Sequence, residues 1–252
     1  MFNIIVFIFG LFIGSFLNCV VYRIESKKSF LKGRSFCPHC KHTLSWLDLI
    51  PIFSYLFLEG RCRYCSKKIS VQYPLVELLT GALFSLILWN FGLSLAFGFW
   101  VLVSSLLIIL FIYDLKHFII PDRVIYPAIL LTLVFRIWNF VGNWELGIGY
   151  FGATIGAAGF FLTIFLISRG KWLGFGDVKL AILIGLLLGF PNILVSLFSA
   201  FLIGAIIGVG LIFLKKKTLK SEVPFGPFLI LGIYIALFFG DQIVKWYLNI
   251  LI

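Results

Sequence analysis

The chain has 252 residues, 62% of them apolar and only 12% charged, with a mean hydropathy of +1.11. A soluble domain is nearer half apolar and a quarter charged, so composition excludes an ordinary soluble enzyme and leaves a polytopic membrane protein. The net charge of +11 does not point to nucleic acid, because 19 of the 21 Lys and Arg residues fall in four clusters between apolar runs, at 23–68, 116–123, 169–179 and 215–220, as the positive-inside rule distributes them.

A span takes about 20 apolar residues, so the length holds roughly seven to nine of them beside one small polar domain. Residues 1–22 form the first. Its positive charge, Arg23, follows the apolar run rather than preceding it. That order suits a retained span with its N-terminus outside better than a cleaved signal peptide. Asn18, inside this run, reads as a hydrogen-bonding contact between helices.

Residues 23–73 are the one extended polar segment, and ten Lys and Arg against Glu25, Asp48 and Glu59 place it in the cytoplasm. It contains Cys37-Pro38-His39-Cys40 and Cys62-Arg63-Tyr64-Cys65, separated by 21 residues. Two such knuckles can direct four thiolates at one ion. The cytosol is reducing, so a disulfide framework is not expected. Zinc suits four cysteines, and iron could occupy the same shell. With four protein ligands the site would be structural, and His39 and His42 read as surface residues. Between the knuckles, residues 44–58 are mostly apolar, broken by Pro51, and too short for a span. They read equally as an interfacial segment against membrane lipid or as packing under the metal site.

The remaining residues, 74–252, read as a transmembrane domain with spans near 74–98, 100–114, 122–138, 148–168, 178–188, 193–214 and 225–240. Together with the first, that predicts an all-α polytopic protein with about eight transmembrane helices, and the four-cysteine domain between helices 1 and 2. Glu77 falls in the first turn of the second span, where it either favours the helix N-terminus or touches substrate. Asp122 follows Pro121 at a helix start. Asp114 is placed at a helix end, where the macrodipole disfavours it, so capping does not explain it. Gly147-Ile148-Gly149-Tyr150-Phe151-Gly152 matches a dinucleotide-binding pattern but lacks the preceding strand that pattern needs.

A second membrane-mouth carboxylate lies in Gly174-Phe175-Gly176-Asp177-Val178-Lys179, on the same side as Asp114 by the count of turns. Ionisable groups at such positions are expensive and usually functional. Two carboxylates suit aspartyl proteolysis, one activating a water and the other donating to the scissile carbonyl. Like charges held close cannot both ionise easily, so the pair would titrate as one coupled unit. Gly174 and Gly176 would let an extended peptide approach Asp177. Lys116 and Lys179 would stand nearby, as substrate contacts or as ordinary positive-inside residues. Neither H-E-x-x-H nor G-x-S-x-G occurs. An ion-coupled transporter or channel using the two membrane carboxylates is the alternative.

The sequence resembles the type IV prepilin peptidases. The resemblance rests on Gly14-Ser15-Phe16-Leu17-Asn18 with Tyr22-Arg23, both knuckles, Leu47-Asp48-Leu49-Ile50-Pro51, and Gly60-Arg61-Cys62-Arg63. It rests further on Tyr73-Pro74-Leu75-Val76-Glu77, residues 114–122, and Gly174 through Lys179. It implies a Gly-x-Gly-Asp membrane aspartyl endopeptidase that cuts prepilin and pseudopilin leaders on the cytoplasmic side of a bacterial inner membrane. Cleavage would follow a glycine, before the apolar pilin helix. The implied catalytic pair is Asp114 and Asp177, and the implied zinc ligands are Cys37, Cys40, Cys62 and Cys65. Many members also methylate the new N-terminus with S-adenosylmethionine. No methyl-donor motif stands out in residues 23–73, and Gly60 is the candidate for that region.

Overall fold

The computed structural model describes residues 2–26, 33–140, 144–214 and 223–251. The basic run Lys215-Lys216-Lys217 and residues 141–143, between the fourth and fifth spans, lie outside them. Nine α-helices are formed among the described residues: α1 Phe2–Glu25, α2 Phe53–Phe57, α3 Gln72–Phe91, α4 Leu95–His117, α5 Asp122–Phe140, α6 Trp144–Ser168, α7 Phe175–Leu188, α8 Asn192–Phe213 and α9 Gly226–Leu251. Seven are long and apolar enough to span a membrane. The eighth apolar helix, α7, has only 14 residues, matching the short sixth span expected from the sequence. There is no sheet among the described residues, only two isolated bridges, Phe36–Thr43 and Arg61–Lys68.

The chain divides into two compact units, Met1–Ile109 and Leu110–Ile252, with the boundary inside α4. In the first unit α1 and α3 pack antiparallel through small residues. A Cβ on Gly10 would lie 2.7 Å from the Gly81 Cα, and one on Gly14 would lie 2.7 Å from the Glu77 Cα. Backbone contact of this kind is how apolar helices gain packing when lipid supplies no hydrophobic drive. One turn further along, the Asn18 amide donates to the Tyr73 carbonyl at 3.2 Å, extending the same register.

The break between the second and third spans falls earlier than 98–100, at residues 92–94. Hydropathy runs almost unbroken there, so the stop is set by capping. Gly92, at φ +58°, returns its N–H to the Leu88 carbonyl, and the Ser94 hydroxyl accepts from Phe97 N–H at 3.2 Å. These are ordinary C-terminal and N-terminal caps. With α3 starting at Gln72, Glu77 sits in the second turn rather than the first. With α4 continuing to His117, Asp114 sits one turn inside the helix rather than at its end.

The second unit is built around α7. Ten of its 14 residues are buried, among them Leu180, Ala181, Leu183, Ile184 and Leu187, with α5, α6, α8 and α9 packed about it. Arg136 of α5 closes the C-terminal end of α7. Its Nε donates to the Leu186 carbonyl at 2.9 Å and its Nη2 to the Leu187 carbonyl, while the guanidinium lies 4.0 Å from the Tyr150 ring centroid. A cation there satisfies carbonyls that have no intrahelical partner. The last helix continues to Leu251 instead of ending near 240. Asp241, the charge that would have broken an apolar run, is paired with the Asn192 amide at 2.9 Å.

Candidate functional site

The two cysteine knuckles fold alike, with a 25-residue offset. Cys37 N–H bonds the His42 carbonyl and Lys41 N–H the Cys37 carbonyl; Cys62 and Ser66 repeat the pattern, all at 2.9 Å. Lys41 and Ser66 both take positive φ, at 61° and 55°. The rings of His42 and Tyr64 meet across the two turns at 3.7 Å. Each knuckle thereby aims two sulfurs inward, and the four sulfurs lie within 4.8 Å of one another.

Cys37 and Cys65 Sγ are 3.9 Å apart, against about 3.8 Å for the edge of a tetrahedron with metal–sulfur bonds of about 2.3 Å. Thus Cys37, Cys40, Cys62 and Cys65 could hold one metal ion. Burial opposes ionisation of Cys37, but the N–H groups of Cys40 and His39 outweigh it and bring the thiol down to about 7. At Cys65 the Lys67 N–H favours the thiolate, yet burial and the neighbouring sulfurs push it up to about 11. One sulfur is prepared to ionise, and a cation would favour ionisation of the rest.

Residues 44–58 link this centre to α3. On one side Asp48 accepts from Arg63 Nε at 2.7 Å, Tyr64 at 3.2 Å and the Ser45 hydroxyl at 2.9 Å. Further along, Ile52 takes φ +62° and donates its N–H to the buried Glu77 carboxylate at 2.7 Å. Trp46, Phe53, Leu56 and Phe57 remain exposed. Gly60 turns the chain into the second knuckle at φ +66°, and a Cβ there would lie 2.9 Å from the Tyr55 ring.

In the second unit, Asp114 and Asp177 are both buried, and Asp177 feels the charge of Asp114. Gly174 caps α7 in an extended conformation, and its N–H donates to Asp177 Oδ2 at 3.2 Å. Asp177 is the third residue of α7, the position from which a carboxylate reaches back to the cap. Asp114 receives the N–H of Gly226, the first residue of α9. A Cβ on Gly226 would lie 2.5 Å from Asp114 Oδ2, and one on Gly176 would lie 3.0 Å from Ile120 Cβ. Lys179 pairs with Asp122 at 2.5 Å, with its Nζ 5.0 Å from the Tyr126 ring and 5.2 Å from that of Phe175. Two buried carboxylates from different helices are each held by one backbone N–H, and carboxyl groups are side chains that can take and give protons.

Residues 8–91 match the Bacterial Peptidase A24 N-terminal domain, and residues 100–209 match the Type IV leader peptidase family. The chain is 35% identical to a Prepilin leader peptidase/N-methyltransferase of Aeromonas hydrophila, over 97% of this chain and 93% of the relative. It is 35% identical to the protein of that name from Bacillus subtilis, over 97% of both chains, and 30% identical to that of Pseudomonas aeruginosa, over 95% and 91%. The chain belongs to the type IV leader peptidase family. No solved structure matches it significantly.

Within this leader peptidase, sequence reasoning did not single out Gly226 or Ile120, the residues packed directly on the two carboxylates and their helices. Pro224 and Pro227 flank the start of α9, where proline is favoured. The only further signal was a glycine between them, which cannot be told from a turn glycine without knowing that Asp114 lies opposite.

Proposed function

We propose that the chain is a membrane-embedded aspartyl endopeptidase that removes the leader of type IV prepilins and pseudopilins, with Asp114 and Asp177 as the catalytic pair. The observation that carries this reading is the burial of two carboxylates, with Asp177 near enough to feel the charge of Asp114, in a chain of the leader peptidase family. The ionised partner takes a proton from water as the water oxygen bonds to the scissile carbonyl carbon. The protonated partner donates to the carbonyl oxygen, and collapse of the tetrahedral species passes a proton to the departing amine.

Family resemblance supports cleavage after a glycine at the cytoplasmic face of a bacterial inner membrane, and the charge that follows the first apolar run, at Arg23, supports an N-terminus outside. Substrate contacts by Lys179 and Glu77 would require their pairs with Asp122 and Ile52 N–H to open, whereas Gly174 offers backbone beside Asp177. The N-methyltransferase in the relatives' names supports a second activity, transfer of a methyl group from S-adenosylmethionine to the new N-terminus, with Gly60 in the candidate region. Zinc fits the four-sulfur geometry as a structural ion. The exposed aromatic face of residues 44–58, tied to the second turn of α3, supports their lying against membrane lipid.

The test is purified full-length protein in detergent with an intact prepilin, the products read by mass spectrometry. Release of the leader is expected. Prepilins left whole by folded protein would contradict the reading and favour ion movement through liposomes as the next assay.

A further inference from the structure

We propose that Ile120 is a positioning residue for the carboxylate pair, a wedge that locks the α4–α5 turn onto α7 and α9. Only residues 118–121 separate the end of α4 from the start of α5. The turn begins with Phe118 at φ +57°, whose N–H closes on the Asp114 carbonyl at 2.9 Å. Any movement of the turn is therefore transmitted directly to the last turn of α4, which carries Asp114.

Of the two consecutive isoleucines in this turn, Ile119 is 62% exposed and Ile120 only 7%. The buried one lies over Gly176, the residue before Asp177. A Cβ there would meet Ile120 Cβ, Cγ1 and Cδ1 at 3.0, 3.2 and 3.3 Å. The same Cδ1 would lie 3.5 Å from a Cβ on Gly226, whose N–H holds Asp114. One β-branched side chain, stiff about χ1, thus packs beside both the residue before Asp177 and the residue whose N–H holds Asp114. Gly176 is small because Ile120 occupies the space, so this glycine serves the packing of the turn and not the approach of a peptide.

This inference rests on the proposed function, since it is read by prepilin cleavage. The experiment compares wild type, Gly176→Ala, Ile120→Ala and the double variant as full-length protein, measuring kcat, KM and unfolding midpoint. Gly176→Ala is expected to lower kcat by about ten- to hundred-fold, the effect of a sub-ångström misplacement of reacting groups, with KM little changed. Ile120→Ala, which removes the wedge but keeps the Cβ nearest Gly176, is expected to lower kcat by about ten-fold, and because both changes act through one contact the double variant is no slower than the worse single one. Losses that multiply in the double variant, or a loss confined to KM, overturn the role of Ile120.

Should Gly176→Ala fail to fold, Ile120→Val and Ile120→Leu decide. Valine keeps the branched Cβ facing Gly176 and should keep kcat, while leucine should lose about ten-fold. Equal rates for the two contradict the wedge. Prepilin left whole by wild type overturns the proposed function and this role with it.

Discussion

Asp122, the first residue of α5, and Lys179, in the second turn of α7, form an ion pair at 2.5 Å. The Lys179 side chain is 13% exposed and that of Asp122 59%. With one partner in solvent, the pair contributes about 0–1 kcal/mol to stability. Its consequence is geometric. It fastens the start of α5, just beyond the turn that follows Asp114, to the helix that carries Asp177.

The first prediction concerns that fastening. Asp122→Asn and Lys179→Met should each lower kcat by about three- to ten-fold, and the double variant should be no slower than the worse single one, as expected for partners in one interaction. Steady-state kinetics on all four proteins measures the coupling. Multiplying effects, with the Lys179→Met loss in KM, would mean that Lys179 acts on substrate independently of Asp122.

Gly226→Ala places a Cβ 2.5 Å from Asp114 Oδ2. Either the carboxylate rotates away or the start of α9 retreats and withdraws its N–H. Overpacking of about 1–3 kcal/mol aimed at a reacting group should lower kcat by about ten- to hundred-fold. Gly204→Ala on α8, where the new Cβ meets the Phe228 ring at 3.2 Å, controls for overpacking elsewhere and should leave kcat within about two-fold. Equal losses in the two variants would remove the special place of Gly226.

Gly60→Ala tests what that glycine does. At φ +66° a side chain costs about 1–2 kcal/mol, and the methyl also meets the Tyr55 ring at 2.9 Å. The metal-to-protein ratio by elemental analysis should stay near one, with faster release to a chelator, because both knuckles remain but their approach is strained. A variant that holds metal like wild type and loses only methyl transfer would assign Gly60 to the methyl-donor region instead.

Asp48 gives a pH dependence with a definite sign. Burial alone would push its carboxyl up, but Arg63, Ser45 and Tyr64 outweigh it and hold it below its ordinary 3.8. A carboxylate depressed in the folded state contributes stability that is complete above the unfolded value and lost as pH falls through the folded one. The unfolding midpoint of wild type should therefore drop more steeply below about pH 4 than that of Asp48→Asn. Parallel curves would show that the contacts of Asp48 add nothing.

Much of this architecture is written in local pattern. The eight apolar runs, the short α7 and the paired knuckles are each carried by a few neighbouring residues, and that is where the reading and the structure agree. The break at Gly92 was misplaced because hydropathy passes through it, while caps depend on single atoms. The place of Asp114 shifted by one turn for the same reason, since a helix end is fixed by its last hydrogen bonds. What could not be read was long-range: Arg136 closing α7 from α5, Asp241 answering Asn192, and Ile120 seated between Gly176 and Gly226. Each joins residues far apart in the chain, and one sequence shows neither partner of such a pair.

The central claim is that Asp114 and Asp177 together perform the cleavage. The most direct measurement is single-turnover cleavage of an intact prepilin by wild type, Asp114→Asn and Asp177→Asn, with prepilin binding measured on the same preparations. Asparagine keeps the size and the hydrogen bonds from Gly226 and Gly174 but can neither take nor give the proton. The account predicts retained binding with cleavage slowed by about 10²–10⁴-fold or more in each variant. Cleavage by either variant within about ten-fold of wild type would contradict it.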